Sequence, residues 1–185
     1  MPKYLDGHLL IATPAISDPR FIKSVIFLCS HDSNHAMGLV INKINEGINL
    51  DQLCENIPLN TPKLNNNSII LSGGPMEIAR GFVLHTNDHI LPESKVIGND
   101  FALTCSIDLI KEIALGKGPF RFLITLGYSG WYSGQLETEL KQNSWLTIPA
   151  NPDIIFNTEV EKIWSKALGI LGVNPNQITD QYGSA

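Results

Sequence analysis

Phe122-Leu-Ile-Thr-Leu-Gly127-Tyr-Ser-Gly130-Trp-Tyr-Ser-Gly134-Gln-Leu-Glu137 joins an apolar run to spaced glycines and then to a helix-forming stretch. Periodicity predicts a buried strand over 120–126, a glycine-rich loop over 127–134 and a helix over 133–142. That helix carries Leu136 and Leu140 on one face and sets Glu137 four residues before Lys141 for a surface pair. A strand that feeds such a loop at a helix start offers free backbone N–H groups to an anion. The spacing of Gly127, Gly130 and Gly134 matches neither the dinucleotide fingerprint nor a P-loop. It is not a nucleophile elbow either, because residue 131, where the last glycine should stand, is Trp. The competing reading is structural, a tight turn packed on Trp131 and Tyr132, and we favour it. Gly127, Ser129, Gly130, Trp131 and Gln135 are kept as ligand-binding candidates.

Upstream of this stretch, short apolar runs bounded by turn residues predict strands at 8–12, 25–30, 37–42, 69–72 and 81–85. The polar segment 31–36 suits a hairpin between the second and third of these. Asn49 is placed to cap a short helix over 50–56, followed by an Asn- and Pro-rich loop over 56–67.

Downstream, Ile107, Ile110, Ile113 and Ala114 repeat at helical spacing, with Ser106 or Thr104 as cap and Gly116 past the end. Residues 145–149 read as a strand. Thr158-x-x-Glu161 has the form of a capping box, and Val160, Ile163, Trp164, Ala167, Leu168 and Leu171 make the face of one continuous helix. Strands come first and most helices later, so the expected class is α+β, a single domain over 1–185 with a mixed sheet and a frayed tail from 174.

The chain has 185 residues, 43% of them hydrophobic, and a formal charge of −5 with no cluster of Lys and Arg. Direct, autonomous DNA binding is therefore disfavoured, because gripping phosphates requires concentrated positive charge. The first residues lack the long apolar core of a secretory signal, and the longest uncharged stretch, 122–136, is short and polar for a membrane span. A soluble, cytoplasmic protein is expected. Cys29, Cys54 and Cys105 are odd in number and dispersed, which suits reduced, packed thiols rather than a disulfide framework.

Further candidates lie outside the glycine stretch. Gly73 and Gly74 form a flexible turn before Pro75, with Arg80 nearby to pair with an anion or an internal acid. His31, Asp32 and His35 invite a metal reading, but in a hairpin loop the two imidazoles do not share a helical face, so no metal and no cofactor is expected. His31 remains a ligand-binding candidate. His8, His85 and His89 are scattered, and the residue types of a nucleophilic triad are present without visible convergence.

Taken together, Gly7-His-Leu-Leu-Ile-Ala-Thr-Pro14, Asp18-Pro-Arg-Phe21, Ser24-Val-Ile-Phe-Leu-Cys-Ser-His31, Ala36-Met-Gly-Leu-Val-Ile-Asn42, Gly73-Gly-Pro75, Arg80-Gly-Phe-Val-Leu-His85 and Gly127-Tyr-Ser-Gly-Trp131 with Gly134-Gln-Leu-Glu137 resemble the bacterial AlgH (YqgE) family. Two positions depart from its pattern: His35 stands where the family usually has Gly, and Lys43-Ile44 replaces Arg-Pro. The resemblance implies a compact fold with a bifurcated, barrel-like sheet flanked by helices. It also implies the family's label of transcriptional regulator, for which no biochemical activity or catalytic residue is established. The expected function is that of a regulatory or binding protein acting indirectly, through a small ligand or a protein partner. The alternative is a small hydrolase-like enzyme with a site at the 127–134 loop, drawing on His31 or His85 and Arg80. A third reading is a partner-dependent assembly factor.

Overall fold

The computed structural model describes residues 4–48 and 69–174. The expected helix at 50–56, the loop at 56–67, Cys54 and the tail beyond Asn174 lie outside the described residues.

β1 (His8–Ala12), β2 (Val25–His31), β3 (His35–Val40), β4 (Ile70–Ser72), β5 (Met76–Thr86), β6 (Lys95–Ile97), β7 (Phe101–Thr104), β8 (Phe122–Tyr132) and β9 (Trp145–Pro149) form one nine-stranded sheet. Its order is β6-β7-β5-β8-β3-β2-β1-β9, with β4 set beside β8 as the one parallel pair among the described strands. The helices are α1 (Ile107–Ala114), α2 (Gln135–Lys141), α3 (Pro152–Phe156) and α4 (Ile163–Ile170). This is an α+β architecture.

Both faces of the sheet are covered, which is why its strands read as unbroken apolar runs rather than alternating ones. Leu9, Val25 and Phe27 point to one core, closed by Ile154 of α3 and Trp164 and Leu168 of α4. Their neighbours Leu10, Ile26 and Leu28 point the other way, to Trp131, Trp145 and Leu136 of α2. Further along, Ile70, Val83 and Ile124 pack under Leu109 and Ile113 of α1. Curling around the first core gives the half-barrel.

β8 decides the topology. Its first half lies between β4 and β5, and its second half, from Ser129 to Tyr132, pairs with β3, so the sheet forks along this one strand. The expected loop at 127–134 is therefore corrected: the strand runs on to Tyr132. Opposite Gly127 the register shifts between Met76 and Gly81, so four residues of β5 arch outward over one glycine with φ of +73°. Such a bulge absorbs a positive φ without ending the ladder.

Other boundaries also move. β5 begins at Met76 rather than at residue 81, and β6, β7 and α3 are additional elements. The hairpin forms as expected, with Asp32 Oδ1 accepting the Asn34 and His35 N–H groups. Ser106 caps α1, whereas Thr104 belongs to β7. The capping box does not form: 160–162 is a 3-10 turn without a side-chain cap, and Thr158 instead donates to the Asp153 carbonyl.

Candidate functional site

Gly134 adopts φ of +74°, a left-handed conformation that suits glycine, and turns the chain from β8 directly into α2. Residues four apart on a helix share a face, so Gln135 and Glu139 stand one above the other. Trp131 of β8 and Trp145 of β9 both donate their indole N–H to Glu139 Oε2, at 2.8 and 2.7 Å. The Gln135 amide donates to the other carboxylate oxygen at 2.9 Å, while its own carbonyl accepts the Tyr132 N–H at 3.1 Å. The two indoles meet edge to face at 6.2 Å, and Phe21 stands edge-on to Trp145 at 5.9 Å.

Phe21 ends a 3-10 turn, Pro19–Phe21, that forms the opposite wall. Asp18 caps this turn by accepting the Arg20 N–H, and it also binds the guanidinium through Nε and Nη2, the latter at 2.6 Å. The Arg20 guanidinium holds the Asp18 carboxyl below the usual carboxylate range. Between the two walls lies a cleft of about 440 Å³, with Met76, Ser129 and Gly130 on its lining. That volume falls within the range of small-molecule sites.

Of the residues singled out by sequence, Ser129, Gly130, Trp131 and Gln135 come together in this cleft. Gly127, Gly73 and Gly74 have a different role. A Cβ on Gly73 would stand 2.3 Å from the Gly127 carbonyl oxygen, and one on Gly74 would stand 2.2 Å from the Tyr128 carbonyl carbon. The two glycine motifs are the halves of one backbone crossing. Arg80 donates to Glu77 at 3.1 Å and to Cys105 Sγ at 3.4 Å, and its guanidinium lies 5.2 Å from the Phe82 ring centre.

His31 is buried, and its Nδ1 accepts the Leu5 N–H at 3.0 Å, so the ring proton resides on Nε2 and is donated to Glu137 at 3.0 Å. Glu137 thus binds a histidine across the fold, and its expected partnership with Lys141 is not among the ion pairs of the described residues. Its own backbone N–H, helped by the His31 hydrogen bond and opposed by burial, holds the Glu137 carboxyl below the usual range. His35 turns instead to Asp32, at 3.3 Å. Among the described residues no three His, Cys, Asp or Glu side chains are grouped to hold a metal ion.

The AlgH-like family matches residues 9–176. The chain belongs to the AlgH-like family. A UPF0301 protein of Pseudoalteromonas translucida is 42% identical, covering 98% of each chain. One from Rhodospirillum rubrum is 40% identical over 98% of this chain and 95% of its own. Among solved structures, the AlgH protein of Pseudomonas aeruginosa superposes with a TM-score of 0.80 at 43% identity, covering 100% of this chain and 98% of that one. A Corynebacterium diphtheriae protein shares the fold at 17% identity, with a TM-score of 0.73.

In this AlgH-like chain, sequence reasoning missed Glu139, Trp145 and the Asp18–Arg20 wall. The i, i+4 spacing of Gln135 and Glu139 was the available signal. It also missed a buried relay around His85. Leu91 N–H donates to Ser94 Oγ at 2.9 Å, Ser94 bonds Thr104 at 2.6 Å, Thr104 bonds His85 Nε2 at 2.8 Å, and Nδ1 donates to the Thr86 carbonyl at 2.8 Å. Both imidazole nitrogens are thereby occupied. No helix among the described residues is long and apolar enough to cross a membrane.

Proposed function

We propose that the chain is a cytosolic binding protein of regulatory type, acting indirectly through a small ligand or protein partner held in the Glu139 cleft. The observation that carries this reading is the Glu139 carboxylate. Two strands and its own helix supply three donors that fix its orientation before anything binds. Preorganisation of this kind lowers the ordering cost of association. The net charge of −5 supports an indirect route to any effect on transcription, since the chain has no basic cluster for a phosphate backbone.

The three tryptophans supply an internal control. Trp131 and Trp145 donate into the cleft, whereas the Trp164 indole donates to the Ala12 carbonyl at 2.9 Å. Proton–nitrogen NMR of the indole N–H signals, recorded during titration with a fragment library, should give binders that shift the first two and leave the third. A library whose binders move only Trp164, or surface amides remote from α2, would remove the cleft from the proposal.

A further inference from the structure

We propose that the cleft accepts an organic cation, an ammonium or guanidinium group on an apolar stem, with Glu139 as its counter-charge. This rests on the cleft being the binding site and goes on to name the chemistry of the ligand.

The other two ionic groups of the cleft, Asp18 and Arg20, neutralise each other in a pair closed at 2.6 Å. Glu139 has no such partner: its three donors are two indole N–H groups and one carboxamide, all neutral, and it forms no ion pair among the described residues. A carboxylate offers about four acceptor sites. Oε2 is filled by the two indoles, and Oε1 takes only Gln135, which leaves one acceptor position directed by three fixed neighbours. An anionic ligand would meet that uncompensated charge, whereas a cation would complete it with a charge-assisted hydrogen bond. The apolar part of the lining, Phe21, Met76, Trp131 and Trp145, suits the stem of such a group, and aromatic rings attract organic cations over their faces.

The rival explanation is that Glu139 only staples α2 to β8 and β9. The experiment follows the indole N–H signals of Trp131 and Trp145 during titration with three probes: Nα-acetylarginine amide, agmatine, and Nα-acetylcitrulline amide as the neutral isostere. The expected result is a saturable shift with the arginine amide, absent with citrulline, and weakened about tenfold or more in Glu139→Gln. The Trp164 signal certifies that this variant is folded. Agmatine binding as tightly as the arginine amide points to a free small-molecule cation, and binding confined to the arginine amide points to a side chain of a peptide. Equal shifts with citrulline, or unchanged affinity in Glu139→Gln, would overturn the cation and leave the cleft standing as a neutral-ligand site. Silence of both indoles with all three probes makes Glu139 a staple and overturns this inference, while the fragment titration judges the cleft itself.

Discussion

Gly73 and Gly127 touch backbone to backbone: a single added carbon on the first would stand 2.3 Å from the carbonyl oxygen of the second. Gly127 also carries a φ of +73°, and a Cβ there would lie 2.5 Å from the Gly74 carbonyl oxygen. Neither neighbour is a side chain that swings aside. Gly73→Ala and Gly127→Ala should each destabilise the protein by about 3 kcal/mol or more, beyond the ~1 kcal/mol of a simple left-handed glycine. Gly130 differs, because its nearest obstacle is the Met76 sulfur at 2.8 Å, the far end of a flexible chain. Gly130→Ala should cost about 1 kcal/mol or less. Urea unfolding of the three variants ranks them, and a Gly130→Ala as damaging as the other two refutes the crossing as the reason for glycine.

Removing the Glu139 carboxylate leaves two part-buried indole N–H groups without their acceptor. Glu139→Ala should therefore lower stability by about 2 kcal/mol or more, at ~1–3 kcal/mol for each of the two unsatisfied donors. Glu139→Gln, which retains an acceptor for the indoles, should cost much less. Denaturant melts of both variants check this, and equal losses would mean that charge rather than hydrogen bonding holds the three elements together.

Burial depresses the His85 pKa below its ordinary value of 6.5. A histidine whose folded pKa is lowered binds fewer protons in the native than in the unfolded state. Stability should then rise with pH across this window and fall as pH drops below about 6.5. The carboxylates held low, Asp18 and Glu137, lose their contribution only at more acidic pH, so the two effects separate. Unfolding free energies between pH 7.5 and 5 should show the decline, and His85→Gln should flatten it. A slope that survives the substitution assigns the effect elsewhere.

Cys29 is buried and its thiol is pushed up to about 12, whereas Cys105 is exposed between β7 and the Ser106 cap of α1. Thiolate is the reactive form. Brief treatment with iodoacetamide followed by peptide mass mapping should label Cys105 in the native protein, and Cys29 only after denaturation. Native labelling of Cys29 contradicts the packing described.

Duplex DNA should not bind specifically at physiological ionic strength. Nanomolar affinity for a defined operator, falling steeply with salt, would falsify the indirect mode of action.

The sequence carried β1 and β9 to the residue, because both are short apolar runs that give way to turn residues, Thr13-Pro14 and Asn151-Pro152. It did not carry β8 past Leu126, since a glycine at a positive φ looks like a strand's end until the arch of β5 shows it as a bulge. Lys95–Ile97 is too short to show alternation and owes its conformation to β7. Asn151 and Pro152 formed a helix-start signal that went unread, and Asn151 accepts the Asp153 N–H at 2.8 Å. Half of the cleft was legible for a similar reason. Ser129 to Gln135 are contiguous in the chain, but Glu139 gains its meaning only from Trp145, and Arg20 faces it from more than a hundred residues away.

The pairing of β1 with β9 has a consequence for synthesis. Leu9 lies opposite Ile148, and the Trp164 indole closes on Ala12. At about 5–20 residues per second a ribosome adds the intervening chain on the order of ten seconds after β1 has emerged. Throughout that interval one edge of β1 lacks its partner, and an open apolar edge is a template for other nascent chains. The described sheet is complete only when β9 arrives, so ribosome-bound intermediates halted before Trp145 should depend on chaperones in a way the finished protein does not.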